Sequence, residues 1–271
     1  MKTILVTGAG SGLGKGTAIG LAKKGHQVIA GVQVWEQKSK LMEDIKAEGV
    51  EDNIKIIKLN ILDDMDRLHA YSYDIDILVN NAGIGHSGPV GEMPVELIRE
   101  VMETNVFSNL EFSQPFIKKF VEKGRGKVIF VSSIAGLTTS PYLGAYNASK
   151  HALESIAQSL RDELHPFGVQ IATINPGPFE TGFNDRMYDT FHQWHDDKLY
   201  FTKKKTIEKA ANKLLENQLD PQIMIDEMVE IIPQDIHPFR NIVPAKMAEN
   251  CKEYQKDQYE LKCNEMTESK K

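Results

Sequence analysis

Short β-branched runs alternate along the chain with longer stretches in which apolar residues recur every three or four positions. The runs are Ile4-Leu5-Val6, Val28-Ile29-Ala30, Ile54 to Leu59, Ile75 to Val79, Val128 to Val131 and Val169 to Ile174. Helical periodicity marks Leu13 to Lys24, a polar stretch ending near Gly49, Pro94 to Glu122 and Ala145 to Leu164. A strand covered on both faces reads as a continuous apolar run rather than an alternating one. Strand–helix alternation at this spacing builds right-handed βαβ units. The pattern therefore predicts an α/β fold: a doubly wound parallel sheet with helices on both faces, forming one domain over residues 1–245.

The rhythm breaks after Pro178. Residues 178–219 gather Phe179, Phe183, Tyr188, Phe191, Trp194, Tyr200 and Phe201 ahead of the basic run Lys203-Lys204-Lys205. Aromatics mixed with charge on so long an excursion predict a lid or substrate loop carrying short helices. Asp220-Pro221 opens a further helix, since proline is tolerated in a first turn, and Ile242-Val243 reads as a last short strand. The charged stretch 246–271 has little apolar pattern and is expected to fray as a C-terminal tail.

Composition narrows the class. With 271 residues, 41% apolar, the chain can bury a large core. Its formal charge of −6 offers no net basic surface to displace counterions from nucleic acid, so none is expected as a partner. No apolar run approaches the ~20 residues of a membrane span, and Met1 to Gly8 is too short in its apolar part for a leader. A cytoplasmic protein without membrane association is the expectation. Cys251 and Cys263 match no metal or redox spacing, so reduced thiols and no metal are expected.

The chemistry begins at Thr7-Gly8-Ala9-Gly10-Ser11-Gly12-Leu13-Gly14, between the first strand and first helix. Its glycines let the backbone approach a ligand that a Cβ would block, and the helix start offers unpaired N–H groups to an anion. The pattern is T-G-x-x-x-G-x-G rather than G-x-G-x-x-G, yet its place in a βαβ unit suits a dinucleotide pyrophosphate. The acid that commonly reads the ribose is missing: Val32 or Gln33 stands in its place. Glu36 is the nearest carboxylate, where acids commonly stabilise a helix N-terminus.

Tyr146 and Lys150 are i and i+4, so both side chains leave one helix face a turn apart. An ammonium nearby favours the phenolate and is expected to lower a phenol pKa from its usual ~10. Ser133 precedes Tyr146 by thirteen residues, and Asn80-Asn81-Ala82-Gly83 follows a strand. Together with the glycine turn, these motifs resemble the short-chain dehydrogenase/reductase family, whose fold is Rossmann-like. The resemblance covers residues 1–177 and continues more loosely from Asp220 to Val243.

That resemblance implies a Tyr-Lys-Ser-Asn proton relay. Tyr146 matches the general acid/base and Lys150 the residue that tunes it and holds the nicotinamide ribose. Ser133 matches the serine on the substrate oxygen, with Ser132 as the neighbouring alternative. Asn105 matches the helix asparagine supporting a relay water. Gly8, Ser11, Gly12, Leu13 and Gly14 would take the pyrophosphate. Gln33, Asn60, Ile61, Asn81, Ala82 and Gly83 would take the adenosine side, with Asn80 holding neighbouring strands together. Pro176, Gly177, Phe179 and Thr181 resemble the element that holds the carboxamide.

Asn60 replaces the family's usual aspartate, and Gln33 stands where phosphate-preferring members often have arginine. With no acid at 32 to repel a 2′-phosphate and Lys15 nearby, NADP(H) is slightly preferred over NAD(H). The pocket is expected to use Ile84 to Ser87, Ile134, Leu137, Tyr142 and residues such as Tyr188 from the loop, with His86 offering a hydrogen bond to a small-molecule carbonyl or alcohol substrate. Two other readings share the fold, a non-catalytic dinucleotide sensor and a cofactor-independent dehalogenase-type offshoot. Leu153, Ile156, Ala157 and Leu160 follow helical spacing, and the family resemblance implies a homo-oligomer, a tetramer.

Overall fold

In the computed structural model, which describes residues 1–264, the apolar runs become β1 (Thr3–Val6), β2 (Gln27–Val32), β3 (Ile54–Lys58), β4 (Ile77–Asn80), β5 (Gly126–Val131), β6 (Val169–Pro176) and β7 (Arg240–Val243). The helices between them are α1 (Gly12–Lys23), α2 (Glu36–Ala47), α3 (Asp64–Ala70), α4 (Val95–Met102), α5 (Ser108–Lys123) and α6 (Gly144–Leu164). After β6 come α7 (Phe183–Asp189), α8 (Lys204–Leu215), α9 (Pro221–Ile231) and, beyond β7, α10 (Met247–Gln258). All strands run parallel in one sheet of order β3-β2-β1-β4-β5-β6-β7. The doubly wound Rossmann-like fold is the observed one.

The pleat sends successive side chains to opposite faces. Ile4 and Val6 enter a core shared with Leu21 of α1, Leu41 of α2 and Met228 of α9. Leu5 enters the opposite core with Phe112, Phe116 and Phe120 of α5 and Leu153 and Ala157 of α6. The three phenylalanines repeat every fourth residue, and Phe112 and Phe116 meet edge-to-face at 5.4 Å. Each such fully buried side chain contributes about 1.5–3 kcal/mol through burial. The strand order reverses between β1 and β4. In an open α/β sheet, the crevice outside the strand ends at such a switch point is where ligands bind.

The Pro94–Glu122 stretch is one rod with a π-helical turn at Glu103–Phe107 between α4 and α5. The widened turn places Asn105 inward and completely buried. The excursion 178–219 is closed at its base: Leu219 N–H donates to Pro178 O at 2.8 Å and Glu180 N–H to Leu219 O at 2.9 Å. It carries α7 and α8, and its body is latched to the loop after β4. Ser87 donates its hydroxyl to Tyr188 O and its N–H to Thr190 Oγ1, both at 2.9 Å. The Glu92 carboxylate accepts the backbone N–H groups of Phe201 and Thr202.

One expectation changes. The start of the C-terminal tail does not fray: α10 buries Cys251, and Gln255 Nε2 donates to Leu137 O at 3.1 Å. Tyr254 hydrogen-bonds Thr139 beside it. A few anchors suffice to dock an otherwise polar helix, so the hydrophobic pattern missed it; residues 265–271 of the tail lie outside the described residues. The stripe on α6 forms the buried face that its spacing suits: Leu153 and Ala157 are buried, and Leu160 packs with them against the chain's own sheet. Among the described residues, no helix is long and apolar enough to cross a membrane, and Cys251 and Cys263 are unpaired.

Candidate active site

A cleft of about 760 Å³ opens at the carboxyl ends of β1 and β4 and runs under α7. Its lining holds Gly8, Ser11, Gly12, Leu13 and Gly14 from the glycine turn, and Gln33, Asn60 and Ile61 from the ends of β2 and β3. Asn81, Ala82 and Gly83 line it after β4, and Ser133, Tyr146 and Lys150 stand across from them. Pro176, Gly177, Phe179 and Thr181 complete the wall. Residues from seven separate stretches of sequence thus meet in one cavity.

The glycine turn is held from below. The Thr7 hydroxyl accepts the N–H groups of Asn81 and Ala82, each at 2.9 Å. Asn81 Nδ2 donates to Thr7 O at 2.9 Å and Gly8 O at 3.2 Å, so this amide builds the turn from behind. A Cβ on Gly14 would lie 2.5 Å from Gly8 O, and one on Gly12 would meet Thr181 Cβ at 3.4 Å. Helix α1 starts there with no acidic residue in its first turn and no side-chain cap at Ser11. A tight backbone cradle on uncapped N–H groups fits a dinucleotide pyrophosphate.

At the adenosine end, Gln37 is a lining residue that no sequence motif marks. Its Oε1 accepts Gln33 N–H at 3.0 Å, and its side chain folds over Gly10. The i, i+4 spacing from Gln33 was the available signal, but it is indistinguishable from any solvated helix start. Lys15 does not line the cleft; its ammonium pairs with Asp44 at 2.7 Å. The 2′-phosphate partner expected there is therefore already engaged, by a carboxylate 29 residues away. Asn80 also differs from expectation: its amide donates to Ser113 Oγ at 2.7 Å and ties β4 to α5.

Tyr146 is 8% exposed and packs on Phe183 at 5.6 Å between ring centroids. Burial pushes its hydroxyl up to about 12, with hydrogen bonding to Ser133 pulling the other way. The expected lowering by Lys150 is not seen. The ammonium lies 5.6 Å from the ring centroid and donates to Val131 O at 2.8 Å. Burial also drives Lys150 down to about 8. Ser133 Oγ caps the turn that follows it, accepting Ala135 N–H at 3.1 Å. Ser132 is buried with its hydroxyl unpartnered.

Asn105 lies behind the wall rather than in it. Its Oδ1 accepts Ile84 N–H at 2.8 Å, while Nδ2 donates to Ile84 O at 2.8 Å and Ser149 Oγ at 2.9 Å. A Cβ on Gly83 would stand 3.1 Å from Asn105 Oδ1 and 3.8 Å from Lys150 Nζ, so the amide and the ammonium flank one glycine. The π turn thereby fixes the loop that carries Gly83 and Ile84.

Of the expected substrate residues, Ile84, Gly85, His86 and Ile134 line the cleft, whereas Ser87, Leu137, Tyr142 and Tyr188 do not. Tyr142 contributes its backbone instead, at φ 67°, accepting Gly88 N–H at 2.8 Å. Tyr188 is buried with Leu143, Met187 and Ala211. Adjacent helix positions point about 100° apart, which puts Met187 on the cleft and Tyr188 behind it. Glu100, also unmarked by any motif, hydrogen-bonds His86 Nε2 at 3.1 Å from the far wall. It is the only carboxylate lining the cleft among the described residues.

Comparison with known proteins agrees with this geometry. The family model described as short chain dehydrogenase matches residues 2–190. An uncharacterized oxidoreductase, YusZ of Bacillus subtilis (strain 168), is 37% identical over 237 residues, covering 85% of this chain and 84% of that one. An NADPH-dependent 3-dehydrocapnine reductase of Ornithobacterium rhinotracheale is 34% identical over 193 residues, 67% of this chain and 66% of that one. The crystal structure of a Burkholderia phymatum short chain dehydrogenase/reductase in complex with NAD superposes with a TM-score of 0.80 at 20% identity, covering 98% of this chain and 97% of that one. With a parallel seven-stranded sheet, a glycine turn at its switch point and a matching model over most of its length, the chain belongs to the short-chain dehydrogenase family of oxidoreductases.

Proposed function

We propose that the chain is an NAD(P)-dependent alcohol dehydrogenase/ketone reductase using a Tyr146–Lys150–Ser133–Asn105 relay. The observation that carries this reading is that Tyr146, Lys150 and Ser133 line the same cleft as the glycine turn. When bound, a nicotinamide cofactor would supply or accept the hydride. Ser133 holds the substrate oxygen, and the Tyr146 hydroxyl gives that oxygen a proton during reduction or takes it during oxidation. Lys150 orients the nicotinamide ribose and places a positive charge beside the phenol as its proton leaves. Asn105 keeps the loop at Gly83 and Ile84 in place.

With Tyr146 held up to about 12, the phenol stays protonated at neutral pH. That is the form needed to donate a proton in reducing a ketone, the direction for which the related 3-dehydrocapnine reductase is named. Nicotinamide absorbance followed against a panel of ketones, aldehydes and alcohols tests the reading; no turnover with any of them, given cofactor binding, refutes it. The complete set of tyrosine, lysine and glycine turn stands against both the sensor and the dehalogenase-type reading.

NADP(H) remains the slightly preferred cofactor in this proposal. Among the described residues no carboxylate lines the adenosine end to repel a 2′-phosphate, but with Lys15 engaged the preference rests on that absence of repulsion alone. Comparing Kd for NADPH and NADH should give a ratio of a few-fold in favour of NADPH. We place the protein in the cytoplasm as a homotetramer, which would cover Val95 and Phe107, each more than half exposed on the α4–α5 rod. Light scattering should give four times the chain mass, and a monomer mass at micromolar concentration overturns the assembly.

The lid is assigned substrate choice through Met187. Met187 Sδ would come within 2.4 Å of a Cβ on Gly85, the residue that also abuts the Tyr146 ring. Met187→Ala should change the relative rates on small and bulky ketones by tenfold or more. Tyr188→Ala should lower Tm, because truncating a buried aromatic costs roughly 3–5 kcal/mol, while leaving those ratios within a factor of two. Parallel rate ratios and melting curves on the two variants separate the roles, and equal ratios in both would remove the assignment.

A further inference from the structure

Helix α6 carries a third ionisable residue in the Tyr146–Lys150 series. Glu154 is another four positions on, so the three side chains leave the same face in successive turns. Its carboxylate is 4% exposed, and both oxygens are used. Oε1 accepts Asn175 Nδ2 at 2.6 Å, and Oε2 accepts Arg240 Nε at 2.8 Å. Asn175, itself fully buried near the end of β6, takes the Thr173 hydroxyl on Oδ1 at 3.0 Å. Its Nδ2 also reaches the Ser133 carbonyl oxygen at 3.3 Å. One amide thus links Glu154 to the backbone of Ser133. Glu154 Cγ stands 3.0 Å from where a Cβ on Gly136 would be, so its stem supports the turn after Ser133 as well.

A buried carboxylate is costly unless paired and hydrogen-bonded. Glu154 does not line the substrate cleft, so its retention needs another reason. We propose that Glu154 is a positioning residue for the hydride-transfer site: clamped by Arg240, it holds Asn175 against Ser133 and sets a negative charge one turn behind the Lys150 ammonium. The inference rests on the oxidoreductase reading above and names residues outside the relay that tune it.

The charge effect has a definite sign. Burial lowers Lys150, and Glu154 is the group that raises it. The other ionisable neighbour on the same helix is Tyr146, β5 offers only the Val131 carbonyl, and β7 contributes Arg240 through Glu154. Neutralising Glu154 therefore makes the ammonium give up its proton at lower pH. Neutralising Arg240 leaves the Glu154 charge less compensated and keeps Lys150 protonated to higher pH.

The test uses Glu154→Gln and Arg240→Gln in the full chain, with Tm recorded for each. Two pH profiles are measured: kcat/KM for ketone reduction, and the Kd of NADPH from its fluorescence. In Glu154→Gln the alkaline limb of both profiles should move down by roughly half to one pH unit. Its kcat should fall about tenfold, as for loss of a charge-assisted hydrogen bond, with KM within threefold. In Arg240→Gln the limbs should move up instead. Limbs that stay in place, or that move the same way in both variants, overturn the proposal even if kcat and Tm fall. Should Glu154→Gln not fold, the direction of the Arg240→Gln shift decides alone. If the wild-type protein binds NADPH but reduces no ketone, the oxidoreductase reading fails, and the binding profile still tests the Glu154 charge.

Discussion

Turnover of Tyr146→Phe should fall by about 10²–10⁴-fold, the range that a positioned acid/base supplies, while the Kd for NADPH stays within about threefold. The substitution removes one oxygen from a ring whose packing on Phe183 is otherwise kept. The glycine turn is built by Thr7 and Asn81, away from that hydroxyl. The remaining activity should also lose its dependence on alkaline pH in the oxidation direction. In the wild type the oxidation rate should climb as the phenol, held up to about 12, begins to ionise. Stopped-flow single turnovers on the purified variant, with Kd from NADPH fluorescence, measure both quantities. Near-wild-type turnover would remove Tyr146 from the chemistry.

Alanine at Gly14 should weaken NADPH binding by about 100-fold or more, a loss near 2.7 kcal/mol, and lower Tm. The new methyl would stand 2.4 Å from Asn81 Nδ2 and 2.5 Å from Gly8 O, contacts that no rotamer relieves because one partner is backbone. Overpacking of this kind typically costs 1–3 kcal/mol. Here the yielding element is the turn itself, since Asn81 would lose its hold on Thr7 O and Gly8 O. Gly10→Ala is the control. Its methyl would meet the Gln37 side chain at 2.5 Å, an end that can swing aside, so the Kd should change by less than tenfold. Titration of NADPH into both variants checks the contrast, and equal affinities would mean that the cradle is not where the diphosphate binds.

The sheet and most of the cleft are legible in the amino-acid order because their causes are local. A strand buried on both faces must be apolar throughout, so β1, β2, β5 and β6 stand out as runs. Tyr146 and Lys150 share a face simply through helical pitch. The glycine turn shows itself because only glycines permit so close an approach of backbone to backbone. Ser133 needed the thirteen-residue spacing to be preferred over Ser132; both line the cleft, Ser133 beside Tyr146 and Ser132 buried without a partner.

Other assignments depend on residues far apart in the chain. Lys15 looks available in the sequence, but folding places Asp44 on its ammonium. Tyr188 looks like a pocket aromatic, but a rotation of one helical position gives that place to Met187. The α10 segment looks like a tail because Cys251, Tyr254 and Gln255 are too few to make a hydrophobic pattern, although they are enough to dock it. Gln37, Glu100 and Glu154 carry no motif of their own; each matters through a partner that folding brings to it.

What the amino-acid order alone determined is the class of fold, the glycine turn between β1 and α1, and the helix face that carries Tyr146 and Lys150. These follow from covalent spacing, pitch and the steric freedom of glycine, which act within a few residues. Tertiary structure decided that Tyr146 is buried, and burial in this cleft raises its hydroxyl. It likewise decided which lid side chain lines the cleft and which carboxylate stands behind Lys150. Those outcomes depend on desolvation and on charges brought together across the fold, and both are properties of a closed cavity rather than of any segment of chain.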